Sequence, residues 1–337
     1  MQRNNGLDLF RLLAAFFVVC VHTEYGSIPR DYADYFKLTL RWAVPFFFMA
    51  SGYFGRISNY LATNSLSEKD NHVIIKVLKK LLGIFLVSNL IYVPIVYLKH
   101  IYFNENFSFT IANLFTGIYG HLWFLGALVF GNIAIWYIGA ISKQKWLVPL
   151  SVFLSVAYVF SSYDTLLGIK MNMKVFRYMS VIPFVMIGYW FRKLTISKKN
   201  MRLGLLLIFV GLLVNHVEAT HFYHVQGSFR GLEILVGTII LASGIFIFSI
   251  NLKIRESFFT VWGKKYALLI YVLHPMIMAS QMNLMKILFP HFYQVLYWFN
   301  PVIAFTITIF IVYFMDNYIP GLYATLNVSP LHVRESS

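Results

Sequence analysis

The sequence predicts an all-α integral membrane protein of about ten transmembrane helices, with both termini in the cytoplasm. Three observations predict it. Of its 337 residues, 59% are hydrophobic and only 12% charged, with a mean hydropathy of +0.67, whereas a soluble domain carries about 25% charged residues. The apolar residues gather into ten runs whose lengths approach the roughly 20 residues that cross a bilayer. Finally, 18 of the 28 Lys and Arg fall in the ends and alternate loops of one side, 8 fall on the other, and Arg11 and Arg41 lie inside spans. Cytoplasmic loops collect such an excess, so the richer side is the inner one.

The runs are 7–23, 38–55, 81–99, 121–141, 146–161, 178–192, 203–217, 232–250, 266–283 and 299–319. The first is preceded by a lone Arg3 and carries charges of its own, which suits a retained helix better than a cleaved signal peptide. The second contains RWAVPFFFMASGYF. The third follows the longest polar stretch, RISNYLATNSLSEKDNHVIIK. Before the fourth, which opens on HLWFLGALVF, the segment FSFTIANLFTGIYG reads as a short helix lying at the membrane interface. The sixth holds IPFVMIGYWF. The seventh runs out into NHVEATHFYH, read as a polar outer loop. The ninth holds YALLIYVLHPMI. One transmembrane domain therefore spans 1–320, and 321–337 is a short cytoplasmic tail. No repeat, Gly-rich phosphate loop or low-complexity tract interrupts it.

The single cysteine, Cys20, excludes an internal disulfide and a cysteine metal site. The net charge of +15 is accounted for by the inner loops, so no nucleic-acid partner is expected and membrane lipid is the expected surround. The cytoplasmic (inner) membrane is the expected location.

Asp8, Arg11 and His22 stand inside the first run, where each charge costs about 2.5–3.5 kcal/mol on insertion scales. Eleven residues at 100° each bring Arg11 and His22 onto one face, about 16 Å apart along the axis. Asp8 is three residues before Arg11, so the two can pair. An anchoring ion pair with an interfacial histidine is the plainer reading. A proton-moving histidine is the functional one, because imidazole titrates near neutral pH. Other interior polar groups carry the same two readings. Ser51 and Tyr53 flank a glycine that suits close helix packing. Trp123 suits an interfacial belt. His274 precedes Pro275, which frees a backbone carbonyl that the histidine can satisfy. Arg41, Ser51, Tyr53, Trp123 and His274 are the candidate lining of a substrate cavity. His216, Glu218, His221 and His224 match no metal-ligand spacing, and no metal is expected.

Taken in order, LDLFRLLAAFFVVCVHT, VPFFFMASGYF, HLWFL, IPFVMIGYWF and YVLHP resemble the membrane-bound acyltransferase-3 family over essentially the whole chain. That family includes O-acetyltransferases of surface polysaccharides, lipopolysaccharide and peptidoglycan. The resemblance implies ten core helices, a cytoplasmic acyl-CoA donor (acetyl-CoA by default) and an acceptor hydroxyl reached from outside. It marks Arg11 and His22 as functional. Many members carry an Arg-x-x-Arg pair before the third helix, where this chain has Lys76 and Lys79, with Lys80. Lysine meets a phosphate as a point charge, without the planar bidentate fork. Some members add an extracytoplasmic hydrolase-like domain, and none is expected here after residue 319.

The implied mechanism gives the donor's phosphates to some of Arg56, Lys76, Lys79 and Lys80. Arg11, held by Asp8, orients the donor or meets charge developing on the thioester oxygen. His22 takes the proton of an attacking hydroxyl on an envelope glycan or its lipid-linked precursor. Direct transfer and an acyl-enzyme relay both fit. Two other readings use the same interior charges: a transporter passing acyl groups to a separate extracytoplasmic transferase, and a glycan or lipid exporter.

Overall fold

Helix ends are set by side chains that satisfy orphan backbone groups, and breaks are set by prolines. A computed structural model describes residues 3–25, 29–55, 68–103, 109–142, 145–163, 168, 171–194, 196–229, 232–291 and 293–327. All its regular elements are helical. Helix α1 (Asn5–His22) begins where the Asn4 side chain accepts the Leu7 N–H, and Asn4 also donates to the Ile250 carbonyl at 2.8 Å. Then follow α2 (Arg30–Leu40), α3 (Ala43–Phe54), α4 (Glu68–Phe103), α5 (Asn113–Thr116) and a 3-10 turn, Gly120–Leu122. Next come α6 (Trp123–Ser142), α7 (Leu147–Ser162), α8 (Met173–Met179) and α9 (Val181–Phe191). The chain continues through α10 (Lys198–Gln226), α11 (Val236–Asn251), α12 (Phe258–Leu288), α13 (Tyr293–Tyr318) and α14 (Pro320–Leu326).

The ten apolar runs lie mostly on helix, but the second is broken at Arg41 and Trp42, the sixth at Ser180, and the eighth becomes helical only from Val236. Among the described residues, six helices are long and apolar enough to cross a membrane: those over Asn5–His22, His72–Tyr102, Gly120–Ile138, Lys198–Gln226, Phe258–Leu288 and Phe299–Tyr318. α7 and α11 are apolar but shorter. Large apolar side chains remain on the outer faces of α4, α10 and α13, among them Leu90, Phe209 and Phe310, each about two-thirds exposed. Such belts, on helices this apolar, face lipid.

One expectation changes. NHVEATHFYH is not a loop: α10 runs on to Gln226 and stops at Gly227, whose φ of +67° is a left-handed position that favours glycine. Glu218 there accepts the N–H groups of Val236 (3.2 Å) and Gly237 (2.8 Å) and the Tyr163 hydroxyl, so it caps α11. The segment after residue 320 begins as helix α14, whose Tyr323 and Leu326 are buried and whose Tyr323 hydroxyl donates to the Lys265 carbonyl at 3.2 Å. The short helix foreseen before the fourth run is α5.

The bundle is held by close backbone approaches. α10 and α11 pack along a seam where Gly204, Gly211, Gly237 and Gly244 leave no room for a Cβ: one on Gly211 would sit 2.5 Å from the Leu241 nitrogen, and one on Gly237 2.2 Å from the Asn215 nitrogen. α3 and α9 interlock through Gly52, against the Val185 carbonyl, and Gly188, against the Met49 carbonyl. α1 lies in a trough between α12 and α11. Small residues let helices approach this closely.

Candidate functional site

Prolines open the helices where the site forms. A proline has no N–H for the carbonyl four residues back and clashes with it. Pro45 therefore ends the run at Arg41, between α2 and α3. Pro183 does the same at Met179, between α8 and α9. Pro275 sits inside α12 and frees the Tyr271 carbonyl. A cavity of about 160 Å³ lies among these three breaks, lined by Arg41, Pro45, Arg177, Ser180, Phe184 and Tyr271 together with His22, Trp123, Tyr158 and Glu233.

His22 ends α1, and its ring is exposed into this cavity. Behind it stand two buried histidines. The His22 and His274 ring centroids are 5.2 Å apart, and those of His121 and His274 5.7 Å. His274 Nδ1 lies 2.8 Å from the Tyr271 carbonyl freed by Pro275 and 3.1 Å from that of Ile270. A carbonyl can only accept, so Nδ1 carries a hydrogen, and a fully buried imidazole with no acidic partner among the described residues is neutral, which leaves Nε2 a lone pair. By the same logic His121 Nε2, 3.0 Å from the Val272 carbonyl, is the donor. Tyr92 also donates to Val272 (2.7 Å), and Tyr271 donates to the His121 carbonyl. The lone pairs of His121 Nδ1 and His274 Nε2 are buried and have no partner among the described residues. His22 thus sits beside two neutral imidazoles whose free nitrogens can only accept. His274 therefore does satisfy the broken backbone, and it also sits against His22. His274→Ala is expected to leave the Tyr271 carbonyl unsatisfied, at a cost of about 1–3 kcal/mol. A fall in the thermal unfolding midpoint of the purified protein checks this.

Elsewhere on the cavity lining, Arg177 Nη1 donates to Glu233 Oε1 at 2.7 Å and its guanidinium lies 4.8 Å over the Trp123 ring. Arg41 shares this wall. A small apolar cluster of Leu38, Ala219, Phe222, Leu232 and Leu235 anchors the segment that carries Glu233.

The other predicted residues lie elsewhere. Arg11 donates to Asp8 at 3.4 Å, Asp8 also accepts from Arg3 at 3.4 Å, and the Arg11 guanidinium is 5.9 Å from the Phe54 ring centroid. Arg11 does not line the cavity. Ser51 and Tyr53 do not either: Tyr53 packs edge-on to Phe246, and Gly52 between them is the packing contact with α9. Lys76 and Lys79 are exposed on α4 and Lys80 is half-buried. Arg56 lies outside the described residues. Cys20 is buried away from the cavity. The residues that the sequence reading missed are His121, Tyr158, Arg177 as a wall residue, Tyr271 and Glu233. The prolines four residues after Arg41 and after Met179 were the available signal for the two breaks.

A family model described as an acyltransferase domain, that of the acyltransferase-3 family, matches residues 4–316. The chain belongs to the acyltransferase-3 family. Its match takes in both the Asp8–Arg11 pair and the histidine cluster, so both lie within the acyltransferase-3 domain. An amino-acid racemase of Enterococcus faecalis is 28% identical over 314 residues, which cover 85% of this chain and 42% of that protein. A serine/alanine racemase of Enterococcus gallinarum is 32% identical over 142 residues, 40% of this chain and 19% of that protein. The chain thus spans less than half the length of these curated relatives. No solved structure matches it.

Proposed function

We propose that this acyltransferase-3 protein moves an acyl group, acetyl in the first instance, from cytoplasmic acyl-CoA to a hydroxyl of a cell-envelope glycan or its lipid-linked precursor. The observation that carries the reading is the position of His22: exposed into a cavity, at the end of a helix, with two buried neutral imidazoles behind it. His22 takes the proton of the acceptor hydroxyl. The oxygen attacks the thioester carbonyl, the C–S bond breaks, and the thiolate leaves and is protonated. The lone pairs of His274 and His121 offer acceptors beside the imidazolium that forms.

The two ends of α1 divide the work. His22 and the cavity take the acceptor. Arg11, locked by Asp8, and the lysines of α4 take the donor. Since these groups sit about 16 Å apart along the helix, a slender acyl-bearing arm has to run between helices to reach His22, or the acyl group has to be relayed. With ten crossings and cytoplasmic termini, the His22 end faces outward, where envelope glycans are. The racemase names belong to proteins more than half of which lies outside the aligned stretch. The shared stretch is the acyltransferase-3 part, so acyl transfer is the activity we assign to it.

The test compares the O-acetyl content of envelope glycan, by NMR before and after mild base, in cells with and without the protein. Acetyl that depends on the protein supports the reading. Acetyl that is indifferent to it sinks the reading and brings the transporter and exporter alternatives forward. Changing Lys76, Lys79 and Lys80 together to alanine is expected to raise KM for acetyl-CoA by roughly tenfold, with kcat nearly unchanged, as loss of uniform binding does. Steady-state kinetics in reconstituted vesicles check it, and an unchanged KM removes these lysines from the donor site.

A further inference from the structure

The cavity wall that holds Arg41, Arg177 and Glu233 carries an unbalanced charge. Arg177 and Glu233 neutralise each other in their 2.7 Å pair. Arg41 has no hydrogen-bond or salt-bridge partner among the described residues, and its Nε is buried. Glu233, already paired with Arg177, acts on Arg41 electrostatically as well, and Asp34 on α2 less so, the latter lying off the cavity and sharing its charge with Lys37, so two guanidiniums on this wall share one carboxylate. The second oxygen of Glu233, Oε2, and Arg177 Nε are buried and unpartnered as well. Two guanidiniums sharing one carboxylate leave one excess positive charge in a partly buried place, which is costly, and charges kept at such depth mark places where a ligand passes or binds. Arginine offers a planar fork that fits a carboxylate or a phosphate. Beside it, Trp123 and Tyr158 present flat aromatic surface. The cavity is about 160 Å³, close to the size that holds one six-membered ring.

We propose that Arg41 binds an oxyanion on the acceptor, a carboxylate or phosphate next to the reacting sugar, with the Arg177–Glu233 pair and Trp123 forming the wall for that ring. The proposal rests on the cavity being the acceptor's place, as read above. Arg41 captures the anion, and Glu233, by holding Arg177, keeps the wall to a single uncompensated charge. The acceptor class is therefore acidic: a sugar acid, or a sugar bearing a phosphate or phosphodiester.

Binding is measured on the full chain in micelles, without acyl donor, by ligand-observed NMR titration with glucuronate, glucose 1-phosphate and glucose. At least one acid is expected to bind about tenfold or more tightly than glucose, as a charge-assisted hydrogen bond permits. The tighter of the two acids tells carboxylate from phosphate. Arg41→Gln is expected to erase the preference of acid over glucose, and Arg41→Lys to retain part of it. Glu233→Gln, which frees Arg177, is expected to raise acid affinity and carries the test should Arg41→Gln not accumulate. Acids that bind no better than glucose, or an acid preference indifferent to both substitutions, overturn the proposal. No acyl donor is needed, so that failure leaves acyl transfer standing. Acid binding by a protein that never transfers an acyl group would overturn the proposed function alone.

Discussion

His22→Ala is expected to lower acyl transfer by at least about 100-fold while the protein still accumulates in the membrane at its usual level. The first half follows from chemistry: a positioned general base contributes about 10²–10⁴-fold. The second follows from burial. The His22 ring is exposed into the cavity on the last turn of α1, so its removal opens no core void and orphans no described backbone group. The contrast with His274 is what makes the pair informative. His274 is fully buried and bound to two carbonyls, so its removal is expected to cost stability as well as activity. The measurement is acyl transfer to glycan at matched membrane levels, with the thermal midpoint alongside. Normal acetylation by His22→Ala would make the histidine structural and end its assignment as a base. A relay through a covalent acyl-histidine predicts the same loss, but His22→Ala would then also fail to retain label from radiolabelled acetyl-CoA, which wild-type protein would hold.

The helical class was legible because the bilayer imposes one rule: apolar runs long enough to cross must satisfy their own backbone, and the apolar runs lie on helices, six of which among the described residues are long and apolar enough to cross. The Asp8–Arg11 pair was legible because a spacing of three residues on a helix fixes neighbours. What periodicity could not supply was proximity between distant runs. His121 opens the fourth run inside HLWFL, and only the packing of its helix against α12 brings its ring within 5.7 Å of His274. Arg177 stands just before the sixth apolar run and Glu233 at the start of the eighth, and their pairing depends on how α8 and the 232–235 segment meet. Arg177, one of the eight Lys and Arg counted on the outer side, is paired with Glu233 and lies over the Trp123 ring. The end of α10 was misread because a polar, histidine-rich stretch carries no apolar period. It stays helical because Glu218 is engaged in capping α11 and Asn215 donates to Thr238 at 2.9 Å. The glycine seam had a signal: Gly204 and Gly211, like Gly237 and Gly244, stand seven residues apart, two helical turns, on one face.

Gly263→Ala is expected to disable the site from a distance. A Cβ on Gly263 would lie 1.8 Å from the Asp8 carbonyl oxygen and 3.2 Å from the Leu12 nitrogen. Both are backbone atoms of α1, so no side chain can swing aside. On the other flank of α1, a Cβ on Gly6 would lie 2.3 Å from the Ser249 carbonyl oxygen and 2.6 Å from that of Leu252, so α1 has no slack in that direction either. To reach ordinary contact distance α12 must move away from α1 by more than an ångström. Overpacking of this kind costs about 1–3 kcal/mol, occasionally more. The displacement separates the helix bearing His22 from the one bearing His274 and shifts Asp8, which holds Arg11. Transfer is therefore expected to fall by tenfold or more in the fraction that still folds, and Gly263→Val is expected to fail to accumulate. Gly83 is the control: it is also helical, a Cβ there meets nothing within 4 Å, and Gly83→Ala is expected to leave activity alone and raise stability by up to about 1 kcal/mol. Activity per folded molecule, from size-exclusion-purified protein, separates the two effects. Full specific activity in Gly263→Ala would mean that the close contact between α1 and α12 does not set the geometry between His22 and His274.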